Sequence, residues 1–322
     1  MAERTTPALR DAYGRVVDTL RLSVTDQCNE RCVYCMPAAG VEKRTRADRL
    51  TLEETAEIAQ AAVACGITKI RLTGGEPLVR DGILELCQRL GALQGLEELC
   101  LTSNGVLLPP MARALREAGV SRVNLSLDSL RPGRYASITR VGTLEKALAG
   151  LASALSAGFR QVKVNMVLMG GVNDDEIGDF IQMTRDHPLE VRFLELMPMG
   201  ECAGWPRGRF LRADEVLRRY PMLEPLSRGG VAERYRMPGY AGAVGLIRPV
   251  SGRFCDDCRR IRLTSDGMLK PCLHADTEIP LRGLHGEKLL DAIRRGVALK
   301  PARHALTEAG SRAGRRMHEI GG

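Results

Sequence analysis

The chain has 322 residues, 47 Lys plus Arg against 39 Asp plus Glu, a net charge of +8 and 44% hydrophobic residues, enough to bury a large core in one or two domains. The surplus cations are dispersed and no Lys/Arg run is interleaved with aromatics, which argues against a nucleic-acid partner and suits a small polyanion. No stretch reaches the roughly 18 apolar residues of a membrane span, and the opening MAERTTPALRDAYGRV has no apolar signal segment, so a cytoplasmic protein without a membrane partner is expected. In that compartment its ten cysteines stay reduced and read as metal ligands or buried thiols.

The first expected strand, TLRLSV (19–24), runs into CNERCVYC, where Cys28, Cys32 and Cys35 stand as C-x3-C-x2-C with Tyr34 between the last two. Three thiolates can hold a [4Fe–4S] cluster by three corners. The fourth iron can then chelate an amine and a carboxylate, whereas a structural zinc site wants four protein ligands. Thr51 and Glu54 form a capping box that opens a helix over 52–65. The second strand, KIRLTG (69–74), ends in Gly74-Gly75-Glu76-Pro77. Two glycines let backbone approach a ligand and the carboxylate can meet an ammonium, although the same residues also spell a tight turn before a helix. A helix over 80–93, strand ELCLTS (98–103), a helix over 110–118, strand RVNLSLD (122–128), a helix over 143–157, strand VKVNMVLM (162–169), a helix over 174–186 and strand EVRFLELM (190–197) follow.

This alternation implies a parallel sheet with helical crossovers. The unusual residues GGEP, TSNG, SLD and MP gather at the C-terminal ends of strands, which favours a partial (β/α)6 TIM-like barrel over an open doubly wound sheet. After residue 198 the rhythm fades and 199–250 is rich in Gly, Pro and Arg. The expected division is therefore a barrel over 1–198 and a C-terminal extension over 199–322.

The extension carries Cys255, Cys258 and Cys272 as C-x2-C-x13-C; a second cluster and a zinc site completed by His274 both fit that spacing. Cys65, Cys87, Cys100 and Cys202 are isolated and read as small core hydrophobes. If 260–263 is extended, Arg260 and Arg262 share one face and Ile261 and Leu263 the other, offering two guanidiniums to a polyphosphate. Arg21, Lys69, Arg71, Lys163 and Arg192 recur on the other strands, and a barrel interior accommodates such cations only around an anion.

LRLSVTDQCNERCVYCMP, TKIRLTGGEPLVR, LTSNG, VNLSLDSL, VKVNMV, VRFLELMPMG, FCDDCRRIRLTSDGMLKPCL and the terminal Gly321-Gly322 together resemble the radical S-adenosylmethionine (SAM) superfamily. Over essentially the whole chain they resemble its GTP 3′,8-cyclase family of molybdenum cofactor biosynthesis, the MoaA family. The resemblance implies one [4Fe–4S] cluster on Cys28, Cys32 and Cys35 and a second on Cys255, Cys258 and Cys272, whose open iron meets guanine. It implies a SAM site lined by Tyr34, Gly75, Ser126 and Met197. GTP would be bound by Arg21, Arg71, Thr102, Lys163, Arg192, Arg260 and Arg262, with the Gly-Gly tail reaching into the active site.

The implied reaction cleaves SAM reductively to methionine and a 5′-deoxyadenosyl radical, which takes the 3′ hydrogen of GTP. C3′ then attacks guanine C8, giving 3′,8-cyclo-7,8-dihydroguanosine 5′-triphosphate for a MoaC-type cyclic pyranopterin monophosphate synthase. A reductant protein is implied as electron donor, and a homodimer is left open. The rivals are a radical SAM peptide-modifying enzyme, which would not need so many strand cations, and a non-catalytic zinc or cluster module, which has no use for GGEP.

Overall fold

The computed structural model describes residues 8–41, 48–226, 230–308, 310–311 and 313–321. The alternation folds as β1 (Thr19–Ser23), α1 (Leu52–Ala64), β2 (Lys69–Thr73), α2 (Ile83–Gly91), β3 (Glu98–Ser103), α3 (Ala112–Glu117), β4 (Val120–Ser126), α4 (Pro132–Thr139), α5 (Leu144–Ser156), β5 (Gln161–Leu168), α6 (Ile177–Gln182) and β6 (Glu190–Glu195). β1 to β6 pair in sequence order and in parallel. The capping box forms as read: Thr51 N donates to Glu54 Oε2 at 2.7 Å and Glu54 N to Thr51 Oγ1 at 3.1 Å.

The segment where the rhythm faded holds α7 (Asp214–Arg219), β7 (Glu224–Pro225), β8 (Glu233–Arg236), β9 (Ala243–Ile247), β10 (Arg260–Leu263), β11 (Met268–Lys270), β12 (Ile279–Pro280), α8 (Gly286–Ala298) and α9 (Met317–Ile320). Two of these strands extend the parallel sheet at both edges: β9 lies beside β6, and β10 beside β1. Among the described residues the parallel frame therefore has eight strands, and antiparallel β7, β8, β11 and β12 flank it.

Strand alternation sorts the side chains. Leu20, Leu22, Ile70, Leu72, Val123, Val164, Val191, Phe193, Ile261 and Leu263 are buried in one apolar core. The opposite face of the same strands carries Arg21, Arg71, Thr102, Asn124, Lys163, Arg192 and Arg262. Helix α8, absent from the sequence reading, buries Leu289, Ala292, Ile293 and Val297 and packs on α1 and β11.

Candidate functional site

The first cysteine loop leaves β1 and rests on the end of α4. Arg31 N donates to Thr139 O at 3.0 Å and Val33 N to Ile138 O at 2.9 Å. Arg140, held at φ 66°, donates to the carbonyls of Arg31 at 3.0 Å and Met36 at 2.8 Å. Side chains tie the loop to strand ends and to α4: Tyr34 donates to Asp128 at 2.6 Å, Tyr135 of α4 to Glu30 at 2.6 Å, and Asn104 Nδ2 to Asn29 Oδ1 at 2.8 Å. Burial pushes the carboxyl of Glu30 up to about 7 and that of Asp128 up to about 6. Burial also raises the thiols of Cys28, Cys32 and Cys35, the last to about 12, and nearby acidic groups add to each shift. Half-buried free thiols beside carboxylates are a donor set that fits a cationic iron–sulfur group, whose binding would release their protons.

The glycines of GGEP serve this loop directly. A Cβ on Gly75 would stand 2.2 Å from Gln27 O, and one on Gly74 2.5 Å from Thr25 O, because Gly75 N and Glu76 N each donate 2.8 Å bonds to that backbone. The carboxylate of Glu76 is held by the protein's own donors. It is buried and accepts from Leu78 N at 3.0 Å, Ser103 Oγ at 2.9 Å and Asn104 N at 2.7 Å, so it locks the end of β3 to the end of β2. Burial raises it to about 7.

Ser126, at the end of β4, is in register with Asn165 on β5, and Met197, just past β6, is half-buried. On the face that carries Arg21, Lys163 and Arg192, three buried oxygens have no partner among the described residues: Thr102 Oγ1, Asn124 Oδ1 and Asn165 Oδ1. Buried polar atoms are normally satisfied, so this row fits a polar ligand. Asn124 and Asn165 were missed in the sequence; the available signal was an amide in the middle of a parallel strand.

Arg262, Arg21 and Arg71 stand in one register row across β10, β1 and β2. Burial lowers all three and neighbouring arginines lower them further, Arg262 to about 10. Arg262 also donates to Gly321 O at 2.6 Å. A Cβ on Gly321 would lie 2.4 Å from Thr73 Oγ1, so the tail enters the barrel where a side chain has no room; Gly322 lies outside the described residues.

Lys69 on β2, Arg122 on β4, Lys163 on β5 and Arg192 on β6 are answered by protein carboxylates, which corrects the reading that an external anion alone balances them. Glu98 pairs with Lys69, Arg160 and Arg122, the last at 2.7 Å. Glu190 pairs with Lys163 at 3.2 Å, Arg234 at 3.2 Å and Arg192. Burial and then Arg192 lower Lys163 to about 7.

The second cysteine group lies beside that arginine row, since Arg260 and Arg262 follow Cys258 directly onto β10. Cys255 Sγ accepts from His304 N at 3.4 Å and Cys258 Sγ from Lys300 Nζ at 3.2 Å. Burial pushes Cys258 up, but Arg260 and Lys300 outweigh it and hold the thiol at about 6. His274 bonds to Ser311 Oγ at 3.0 Å and packs on His304, ring centres 5.1 Å apart. Among the described residues no three His, Cys, Asp or Glu side chains converge on one metal ion. The isolated Cys65, Cys87, Cys100 and Cys202 are buried, as their spacing suggested.

Residues 22–184 match the Radical SAM superfamily, and residues 189–306 match the family described as Molybdenum Cofactor Synthesis C. The GTP 3′,8-cyclase of Alkaliphilus oremlandii is 47% identical over 320 residues, covering 98% of this chain and 100% of that one. The GTP 3′,8-cyclase of Peptoclostridium acidaminophilum is 49% identical, covering 98% of each, and that of Geobacter sulfurreducens 49%, covering 93% and 94%. Among solved structures, Streptococcus suis SuiB bound to S-adenosylmethionine matches with TM-score 0.58 at 15% identity, over 87% of this chain and 64% of SuiB. Native anSMEcpe with bound AdoMet matches with TM-score 0.52 at 15% identity, over 86% and 81%. At such identities these two matches speak to the fold alone.

Proposed function

This chain belongs to the GTP 3′,8-cyclase family of the radical SAM superfamily, and from that premise we propose how its residues divide the work. It is an enzyme of the first step of molybdenum cofactor biosynthesis, converting GTP to 3′,8-cyclo-7,8-dihydroguanosine 5′-triphosphate with SAM and an iron–sulfur cluster. The observation that carries the proposal is the register row Arg262, Arg21 and Arg71 running up to a three-cysteine group.

Cys28, Cys32 and Cys35 would hold a [4Fe–4S] cluster, which would supply the electron for the reductive cleavage of SAM. Tyr34, fixed by Asp128, orients the loop and lines the SAM site with Gly75, Ser126 and Met197. Asn124 and Asn165 offer their unpartnered oxygens to ligand donors.

Cys255, Cys258 and Cys272 would hold a second [4Fe–4S] cluster, which would supply a binding point for guanine. Arg21, Arg71, Arg260 and Arg262 take the triphosphate, because guanidiniums bind phosphate oxygens bidentately. Thr102, Lys163 and Arg192 complete the GTP set, the two cations being kept in place by Glu190. Gly321, against Arg262 and Thr73, brings backbone into the phosphate region.

The division at residue 198 puts the SAM-cleaving cysteines in the first part and Cys255, Cys258 and Cys272 with Arg260, Arg262 and the Gly-Gly tail in the second, so that GTP is held by residues of both, and β9 and β10 share one sheet with β1 to β6. The reading includes a cytoplasmic location, a reductant protein and a MoaC-type synthase acting on the product, and leaves a homodimer open; no helix of the described residues is long and apolar enough to cross a membrane.

Anaerobic incubation of the iron-loaded chain with SAM, reductant and GTP tests the assignment. GTP-dependent release of 5′-deoxyadenosine together with the cyclised triphosphate is expected. Deoxyadenosine release that ignores GTP contradicts it.

A further inference from the structure

Lys300, just past α8, is 3% exposed. Its ammonium has three N–H bonds and meets three acceptors: Cys258 Sγ at 3.2 Å, Arg260 O at 2.8 Å and Pro271 O at 3.1 Å. None of these is a carboxylate. A buried ammonium needs a compensating anion, and of the three acceptors only the sulfur can become one. The contacts also span the site: one partner is a cysteine of the group, one starts β10, and one directly precedes Cys272.

We infer that Lys300 is a positioning residue for the second [4Fe–4S] cluster, donating an N–H to the Cys258 ligand sulfur and raising the reduction potential of that cluster. The inference rests on the reading that Cys255, Cys258 and Cys272 hold such a cluster. The physical reason is differential stabilisation. Reduction adds an electron whose charge spreads onto the cluster sulfurs, so a cationic donor on a ligand sulfur favours the reduced form. The sequence offers no local sign of this contact, because Lys300 lies 42 residues from Cys258. In the first cysteine group, Cys28 Sγ accepts from Glu30 N at 3.4 Å and from Asn104 Nδ2 at 4.0 Å, neither of them a charged donor.

The test uses the full chain carrying Cys28→Ala, Cys32→Ala and Cys35→Ala, so that iron loads at the second site alone. Iron is counted, and the cluster is titrated electrochemically with EPR detection in this background and with Lys300→Met, Lys300→Arg or Lys300→Gln added. About four irons per chain are expected in the background. With Lys300→Met the reduced-to-oxidised ratio at a fixed applied potential should fall by about tenfold, or about 59 mV for a one-electron couple. Lys300→Arg, which keeps a charged donor, should return it toward the background value. If Lys300→Met does not load, Lys300→Gln carries the comparison, since it keeps an N–H donor without the charge and should fall in the same direction. Loaded variants with an unchanged potential overturn the role of Lys300 and leave the cluster reading standing. Zinc, or no iron, in the background overturns the cluster reading and the inference together.

Discussion

The two cysteine groups carry the same number of sulfurs, but Cys258 of the second sits in electrostatic surroundings opposite to those of the first. Around Cys28, Cys32 and Cys35 the ionisable neighbours are Glu30, Glu76 and Asp128, and burial raises every thiol. Around Cys258 they are Arg260 and Lys300, which hold its thiol at about 6 despite burial. The difference matches what each site has to receive. SAM brings a sulfonium and an ammonium, which acidic walls favour, and GTP brings a triphosphate, which a wall of arginines favours. Surroundings, more than ligand count, separate the two sites.

The comparison breaks most completely at the cysteines. Replacing Cys28, Cys32 and Cys35 together by Ala should abolish 5′-deoxyadenosine formation and remove about four irons per chain, measured by chromatography and iron analysis; residual SAM cleavage would move that chemistry elsewhere.

Glu190→Ala leaves Lys163, Arg192 and Arg234 without their shared carboxylate and should destabilise the apo chain by about 4 kcal/mol in urea unfolding. A loss below about 1 kcal/mol, the range of exposed pairs, would show these cations to be solvated.

Glu76 gives the acidic side of the comparison a pH signature. Its folded value near 7 lies above the ordinary 4.5, so the folded state binds the extra proton. Its burial therefore costs nothing below pH 4.5, and stability falls as pH rises toward 7, by on the order of 3 kcal/mol. Glu76→Gln should flatten that part of the curve of unfolding midpoint against pH. A slope unchanged by the substitution would assign the dependence to other groups.

Arg260→Ala sharpens the cationic side with the smallest effect. GTP affinity by equilibrium dialysis should weaken about tenfold, or about 1.4 kcal/mol, with iron content unchanged. Unaltered affinity would exclude Arg260 from the phosphate clamp.

What the sequence revealed follows from the range of the interactions. Strands β1 to β6, the capping box of α1 and both cysteine groups are patterns within about twenty residues, and each was legible. Strand β9 is only AVGLI in a Gly-rich run, and α4 opens on Pro132-Gly133, residues that also spell a turn. The counter-charges were hidden for a different reason. Glu98 meets Lys69 and Arg122, and Glu190 meets Lys163, only because parallel register brings separate strands side by side. The arginine row needed β10 to return beside β1, a pairing that no local spacing encodes.

The central claim is that the second cysteine group serves GTP while the first serves SAM. The most direct measurement compares 5′-deoxyadenosine release, with and without GTP, by the unsubstituted chain and by the variant with Cys255, Cys258 and Cys272 replaced by Ala. The account predicts that the variant keeps its GTP-independent SAM cleavage and loses the increase caused by GTP. An equal GTP-dependent increase in both proteins would contradict it.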